Sequence, residues 1–166
     1  MFVPSQSWQN DHFDIKMAPK RVFAFLIIPA PSRAVLVWMI AVETVPVVAS
    51  VIHKEDRVLV AKRPKHKRHG GLWEFPGGKM LEGESVLDAV SRELLEELNV
   101  ATVSVGDILF ASQDEAFLIQ FVVAQIDGEP ESIEHSEIRW VTMDEVKKLH
   151  LAPTDKKFVL EYLTQK

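Results

Sequence analysis

Three glutamates stand close together beside an arginine in the middle of this 166-residue chain. Glu93, Glu96 and Glu97 follow Arg92 at the spacings i, i+3 and i+4, so a helix would project their carboxylates from one turn. Like charges at this spacing repel each other by roughly 0.2–0.5 kcal/mol per pair. A solvated acidic face tolerates that repulsion, whereas a bound cation removes it. The spacing is therefore typical either of a surface helix or of a site for positive charge.

Two glycines ahead of these acids favour the second interpretation. Gly77 and Gly78 allow the backbone to turn tightly and to offer a bare carbonyl oxygen. Carboxylates and a carbonyl together form an all-oxygen site, which suits a hard divalent cation such as Mg²⁺, with Mn²⁺ as an alternative. We therefore predict a metal site formed by Glu93, Glu96 and Glu97 with the carbonyl of Gly77 or Gly78.

The acids are predicted to lie on an amphipathic helix. Ser85 is a suitable N-cap, and Asn99 tolerates the left-handed conformation that often ends a helix. Between them, apolar side chains recur at helical spacing, namely Val86, Leu87, Val90, Leu94 and Leu98. One face of the helix is expected to enter the core and thereby to fix the direction of the glutamates.

The same stretch matches a known sequence signature. Gly78 is followed after five residues by Glu84 and, after seven more, by the run Arg92-Glu93-Leu94-x-Glu96-Glu97-x-Asn99-Val100. This pattern resembles the signature box of the Nudix hydrolases, which cleave nucleoside diphosphates linked to another moiety. The departure is Asn99, where the family usually has glycine. The resemblance implies an α+β fold, an α-β-α sandwich with a mixed β-sheet, over about residues 45–163.

The resemblance also implies roles for individual side chains. Glu84 is expected behind the metal ligands or on a second metal, and Arg92 is expected to orient a glutamate. For the general base two candidates stay open, Glu93 and Glu134. Glu134 matches a position where the family often places a further acid on a mobile loop, and it is also a candidate metal ligand. The alternative interpretation of Glu134 is a surface acid without a catalytic role. His135 is interpreted as structural rather than catalytic.

Substrate recognition is expected outside the box. The stretch Leu72–Lys79 resembles the MutT-like branch, which removes pyrophosphate from nucleoside triphosphates, including oxidised ones such as 8-oxo-dGTP. The matching positions for base contact are Arg63, Phe75 and Asp155, and Lys79 is a further substrate-binding candidate. Alternatively, Phe75 is a residue of the hydrophobic core that does not contact the base. Where the branch's best-known member has Asn, this chain has Asp155, which only accepts hydrogen bonds when ionised. Guanine and cytosine both offer donors, so the choice between purine and pyrimidine stays open.

Three alternative functions are less compatible with the sequence. Within the family, a dinucleoside polyphosphate hydrolase tends to carry a tyrosine shortly after the box, and an ADP-ribose hydrolase a proline. The single tyrosine is Tyr162, and Ala101–Gly128 contains no proline. A non-catalytic nucleotide-sensing or RNA-binding domain would use the basic stretch Arg63–His69. The complete set of box acids argues against that function.

Composition sets the broad class. With 47% hydrophobic and 26% charged residues, the chain is ordinary for one globular domain. A net charge of −5 argues against a general nucleic-acid binder. There is no cysteine, which excludes disulfides and thiolate metal sites and is compatible with a reducing cytoplasm. The resemblance implies an enzyme of nucleotide-pool sanitation with a nucleoside triphosphate as its partner, and the composition is compatible with a cytoplasmic location.

Residues 1–44 are interpreted as an N-terminal extension of unclear role, and residues 45–166 as the Nudix domain. Two apolar runs, Val22–Ile28 and Ala34–Val42, are separated by Pro29 and Pro31. Each is shorter than the roughly 20 residues that span a bilayer. A signal peptide is a less favoured alternative because the first run lies deep in the chain. The domain is expected to begin near residue 39 or 41.

Beyond the extension, the pattern predicts five strands and, besides the glutamate helix, two further helices. The strands are Val45–Ile52, Arg57–Lys62, Val103–Ala111, Phe117–Ile126 and Ile138–Thr142. The helices are Asp144–Leu149, capped by Thr142 or Asp144, and Lys156–Leu163, capped by Thr154 or Asp155.

Overall fold

The structure is a computed structural model that describes residues 21–28, 35–42, 44–114 and 116–163. The chain forms two compact units, Met1–Glu43 and Thr44–Lys166. In the first unit, strand β1 (Arg21–Ile28) pairs antiparallel with β2 (Val35–Val42). A domain start at residue 39 or 41 would therefore lie inside β2. The description of residues 1–44 as an extension of separate role stays a prediction.

The second unit contains a six-stranded mixed sheet. Its strands are β3 (Val45–Lys54), β4 (Arg57–Lys62), β5 (Trp73–Glu74), β6 (Ala101–Asp114), β7 (Phe117–Asp127) and β8 (Glu137–Thr142). The order is β5-β4-β3-β7-β6, and β8 pairs with β4. β3 and β7 run parallel from the pair Val45 and Phe117 to the pair Ile52 and Ala124, whereas the other pairs are antiparallel. The predicted mixed sheet is confirmed, and β3, β6 and β7 extend beyond their predicted ends.

The first helix, α1 (Val86–Leu98), has both predicted ends. The hydroxyl of Ser85 accepts a hydrogen bond from the amide of Asp88 at 3.2 Å. Asn99 ends the helix in the left-handed conformation, with φ 55° and ψ 38°. Ala89, Val90, Leu94 and Leu98 are buried, so this face fixes the helix on the sheet.

The two remaining helices differ from the prediction. α2 (Met143–Val146) is shorter than predicted, and Thr142 rather than Asp144 caps it. α3 (Pro153–Phe158) begins earlier and continues as a π-helical turn, Val159–Leu163. The predicted caps Thr154 and Asp155 are wrong, because Pro153 occupies the first turn and starts the helix after Ala152. Both side chains are buried inside the first turn instead.

The core lies on both faces of the sheet. Alternate residues of β3 enter different clusters, since Val48 packs with Leu94 of α1 while Val51 packs with Phe158 of α3. This arrangement places helices on both faces and confirms the predicted sandwich. In the described part of the chain, no helix has the length and apolar character needed to cross a membrane.

Candidate active site

A pocket of about 500 Å³ opens where β3, β7, the N-terminal end of α3 and two loops meet. Its wall contains the glycine pair, two of the three clustered glutamates and all four residues predicted to contact substrate. These lining residues are Arg63, Phe75, Gly77, Gly78, Lys79, Glu93, Glu97, Glu134 and Asp155. The fold therefore brings together side chains from distant parts of the chain.

A Cβ on either glycine of the pair would meet a close neighbour, a rigid backbone at Gly77 and the movable end of a side chain at Gly78. Gly77 has a φ of +146°, and a Cβ there would lie 2.1 Å from the carbonyl oxygen of Val48. A Cβ on Gly78 would lie 2.4 Å from the carboxyl carbon of Glu93. The amide of Val48 donates to the carbonyl of Gly78 at 2.9 Å, which leaves one lone pair on that oxygen. The turn thus brings the backbone of Gly78 close to the Glu93 carboxylate.

Glu97 is the most buried acid of the box, with a residue exposure of 8%. Its Oε2 accepts a hydrogen bond from the amide of Gly77 at 2.9 Å, and its Oε1 lies 3.8 Å from Nε2 of His135. Burial raises the pKa of Glu97 to about 7, while the nearby His135 and the Gly77 amide oppose that rise. A buried carboxylate with a raised pKa favours a cationic partner.

Arg92 holds two acids at once. Its Nε and Nη2 donate to the two oxygens of Glu84, each at 2.9 Å, and its Nη1 donates to Oε1 of Glu93 at 2.6 Å. Nη2 also donates to the carbonyl of Lys79 at 2.9 Å. The guanidinium lowers the pKa of Glu84 to about 2, and the two carboxylates raise the pKa of Arg92. Glu84 is thus bound to Arg92 and does not line the pocket.

Glu96 is placed differently from its two neighbours. Its side chain is 54% exposed, lies 3.7 Å from Nη1 of Arg92 and does not line the pocket. Among the described residues, no three acids or histidines stand close enough together to hold a metal ion as they are. Glu93 and Glu97 do share the pocket with Glu134 and the glycine turn. These donors are all oxygen, so the set fits a hard divalent cation.

Glu134 reaches the pocket from the loop of residues 128–136, between β7 and β8. The amides of Glu131 and Ile133 donate to the carbonyls of Leu98 and Glu97 at 2.9 and 3.0 Å, so the loop docks on the C-terminal end of α1. The Glu134 carboxylate accepts from Nζ of Lys67 at 2.9 Å, and this contact lowers its pKa. Glu134 is therefore ionised at neutral pH.

Asp155 and Phe75 form another part of the wall. Asp155 Oδ1 accepts from the Phe75 amide at 2.8 Å, and burial raises the pKa of Asp155 to about 7. The Phe75 ring is edge-on to Phe121 and Phe158, at centroid distances of 5.9 and 5.4 Å. Phe75 thus belongs to the core and also lines the pocket, which combines the two interpretations of this residue.

The basic candidates line the same pocket. Arg63 follows β4, donates from Nε to the carbonyl of Arg68 at 2.6 Å and forms an ion pair with Glu74. Lys79 places its Nζ 5.2 Å from the ring centroid of Phe117. Cations at these places are suited to hold anionic phosphates.

Sequence reasoning missed Glu74 as a site residue. Its side chain is 14% exposed and accepts contacts from Arg63 and from Nε2 of His135, the latter at 3.1 Å. A signal for it was present, because Glu74 stands between the apolar Trp73 and Phe75 in a strand-like stretch. An acid on an otherwise buried strand requires a partner.

Known proteins are similar to this chain in sequence. The sequence model of the NUDIX domain matches residues 43–162. A protein of Escherichia coli named CTP pyrophosphohydrolase is 34% identical over 116 residues, which cover 67% of this chain and 85% of that protein. A protein of Mycobacterium tuberculosis named putative 8-oxo-dGTP diphosphatase 2 is 36% identical over 120 residues, covering 69% of this chain and 85% of that protein.

A solved structure shows the same fold. It belongs to a study of MutT from Aliivibrio salmonicida and Vibrio cholerae, and it superposes with a TM-score of 0.65 at 27% sequence identity. The match covers 74% of this chain and 99% of that one.

Proposed function

The chain belongs to the Nudix hydrolases, and on that premise we propose that it hydrolyses nucleoside triphosphates to a monophosphate and pyrophosphate with Mg²⁺. The observation that supports the proposal most strongly is the composition of one pocket wall. It combines the acids Glu93 and Glu97 and the glycine turn with an aromatic side chain, Phe75, and a buried polar group, Asp155. Such a wall suits a ligand with a polyphosphate at one end and a base at the other.

Hydrolysis of a phosphoanhydride needs positive charge on the phosphates and a base for the water. Glu93, Glu96, Glu97 and Glu134 with a glycine carbonyl are the proposed ligands of Mg²⁺, which would supply that charge and help to activate the water when bound. Arg92 fixes the carboxylate of Glu93 through its hydrogen bond at 2.6 Å. Glu84 in turn holds Arg92 in place.

Lys67, Lys79 and Arg63 add cations to the wall and are proposed to bind the phosphates or the sugar side of the substrate. The general base is Glu93 or Glu134, and kinetics of Glu93→Gln and Glu134→Gln distinguish them. Since both are also proposed ligands, both variants should raise the Mg²⁺ concentration at half-maximal rate. At saturating Mg²⁺, the variant whose kcat no longer falls at acidic pH identifies the base.

For the base of the nucleotide we propose an oxidised purine such as 8-oxoguanine as the first candidate and cytosine as the second. Relatives named for each substrate, 8-oxo-dGTP and CTP, support both. With a pKa of about 7, Asp155 has both a proton-accepting and a proton-donating form near neutral pH. Either form could pair with a guanine edge, and the ionised form could accept from the exocyclic amine of cytosine.

We further propose a role in cleaning the nucleotide pool, and hence in DNA repair in the broad sense, in the cytoplasm. No stable contact with nucleic acid is expected, because the net charge is −5. The alternative of a non-catalytic nucleotide-binding or RNA-binding domain predicts binding without turnover.

The deciding experiment is a screen of nucleotides with Mg²⁺ and with product analysis. The panel contains 8-oxo-dGTP, dGTP, CTP, dCTP, ADP-ribose and a dinucleoside polyphosphate, and the matched control is Glu97→Gln prepared in parallel. We expect pyrophosphate and a monophosphate from a triphosphate, and little product from the control. Release of single phosphate, preferential cleavage of ADP-ribose, or no turnover of any compound would contradict the proposal.

A further inference from the structure

Glu74 lines the pocket, and His135 contacts both Glu74 and the proposed metal ligand Glu97. The imidazole of His135 is almost fully buried, with a side-chain exposure of 4%. Its Nε2 lies 3.1 Å from Oε1 of Glu74 and 3.8 Å from Oε1 of Glu97. One ring nitrogen therefore faces two carboxylates from different elements, β5 and α1.

The contacts continue on both sides of this pair. Oε2 of Glu74 accepts a hydrogen bond from Arg63, which also donates to the backbone carbonyl of Arg68 in the basic loop. Oε2 of Glu97 accepts a hydrogen bond from the amide of Gly77 at 2.9 Å. A connected series of polar contacts thus runs from the basic loop to the glycine turn.

The ring nitrogen also has a defined role in these contacts. Because carboxylate oxygens of Glu74 and Glu97 face Nε2, we assign the proton of the ring to this nitrogen, which then donates to Glu74. In the described part of the chain, Nδ1 is buried and has no hydrogen-bond partner. The ring is therefore held by its contacts with the acids and by packing.

His135 is adjacent to Glu134 in the chain, so fixing the ring also fixes the backbone that carries Glu134. The loop is further held where Ser132 Oγ donates to the His135 carbonyl at 2.8 Å and where the Ser136 amide donates to the Lys62 carbonyl at 2.9 Å. The Glu97 carboxylate is held at Oε2 by the Gly77 amide and faces the imidazole at Oε1, so less ordering is needed when it binds a cation.

We propose that Glu74 and His135 are positioning residues that act as a pair: they hold the Glu97 carboxylate toward the glycine turn and keep the loop of Glu134 docked at the pocket. This inference rests on the proposed function, because it concerns the orientation of a proposed metal ligand. Neither residue needs to touch the substrate. The structural alternative, a buried ion pair that only stabilises the fold, predicts loss of stability without a specific loss of cation affinity.

The test uses the full chain with His135→Leu, His135→Gln and the exposed control His150→Gln. Mn²⁺ affinity is measured by electron paramagnetic resonance without nucleotide, together with the melting temperature, kcat and KM. We expect His135→Leu to weaken Mn²⁺ binding by about 10- to 100-fold and to lower kcat more than it raises KM. His135→Gln keeps a donor and should recover most of the affinity, whereas His150→Gln should match the native chain.

Glu74→Gln supplies a second measurement, since it keeps an oxygen that accepts from His135. We expect it to weaken Mn²⁺ binding by a smaller factor than Glu74→Leu. If His135→Leu does not fold, His135→Asn replaces it, because its amide is polar but too short to reach both acids, and the same loss is expected.

Native Mn²⁺ affinity in folded His135→Leu or His135→Asn would overturn the inference, as would equal losses in His135→Leu and His135→Gln. A native chain that binds no Mn²⁺ would overturn it too. A native chain that binds Mn²⁺ but hydrolyses no nucleotide would contradict the proposed function alone, and weakened Mn²⁺ binding in the variants would still support the positioning pair.

Discussion

Asp155 accepts a hydrogen bond from the backbone amide of Phe75 at 2.8 Å, although the two residues are 80 positions apart in the chain. The contact ties the first turn of α3 to the segment that leads into the glycine turn. Both residues also line the pocket. A single buried carboxylate therefore joins two segments of the fold and also forms part of the pocket wall.

The first prediction concerns stability and pH. Because the pKa of Asp155 is raised from 3.8 to about 7, the folded chain holds a proton there that the unfolded chain releases. Stability contributed by this group therefore falls as pH rises from about 4 to about 7. Asp155→Asn should remove that fall and be more stable than the native chain above pH 7, by on the order of 1–4 kcal/mol.

Urea unfolding of both proteins between pH 4 and pH 8 measures this difference. Glu97 also has a raised pKa, so the comparison is made between variant and native chain rather than on either curve alone. Identical pH dependence of the two chains would show that Asp155 is ionised throughout.

A second prediction uses the same variant for specificity. Asn both donates and accepts at any pH, so Asp155→Asn should change the relative kcat/KM for 8-oxo-dGTP, dGTP and dCTP by about 10-fold or more. The rate on the best substrate should change less than these ratios. Unchanged ratios would mean that Asp155 has only its structural contact with Phe75.

The third prediction separates the acids of α1. Glu97→Gln should fold, because it relieves like-charge repulsion and keeps an oxygen for the Gly77 amide, but it should lower kcat by about 100-fold or more. Glu96→Gln should have a smaller effect, since Glu96 is half-exposed and outside the pocket wall. Glu161→Gln on the exposed C-terminal helix is the control. Near-native turnover of Glu97→Gln would contradict the metal assignment.

A fourth prediction contrasts the two glycines. Gly77→Ala places a methyl group against the rigid carbonyl of Val48 at a positive φ, so it should destabilise the domain by about 1–3 kcal/mol or more. Gly78→Ala meets only the flexible end of Glu93. It should melt close to the native temperature and lose activity as the carboxylate moves. Equal melting and equal activity losses in both variants would contradict this distinction.

The fifth prediction concerns the extension. A chain that starts at Thr44 should fold and hydrolyse nucleoside triphosphates about as well as the full chain, because every residue that lines the pocket belongs to the second unit. A start at residue 39 would divide β2, so the boundary of the compact unit is the better choice. Size-exclusion chromatography and activity decide the matter. An insoluble or inactive product would show that residues 1–43 support the domain.

Local signals predicted much of the fold. Ser85 and Asn99 marked the ends of α1 because each has a side chain suited to its cap, and the alternation of apolar residues marked the strands. The ends of α3 were mispredicted, since Thr154 and Asp155 are common capping residues but Pro153 already fixes the first turn. Burial of Asp155 against Phe75 depends on tertiary contact, which no local pattern reports.

The sequence predicted part of the candidate site but not the position of every acid in it. The box spacing predicted that Glu93 and Glu97 share a face, but it could not show that Glu96 is turned toward solvent beside Arg92. The position of Glu74 depends on Arg63 and His135, which reach it from 11 and 61 positions away. Contacts between residues so far apart in the chain form only when the strands pair, so no local sequence pattern indicates them.

The parallel pairing of β3 with β7 bears on how the protein becomes active. It joins the start of the second unit to a strand that follows α1, and the pocket includes residues from both strands. Pairing over such a long stretch of chain forms slowly compared with local hairpins, because loop closure must come first. During refolding, enzymatic activity should therefore return together with the slowest spectroscopic phase, and a chain released from synthesis before β7 should have no catalytic capacity.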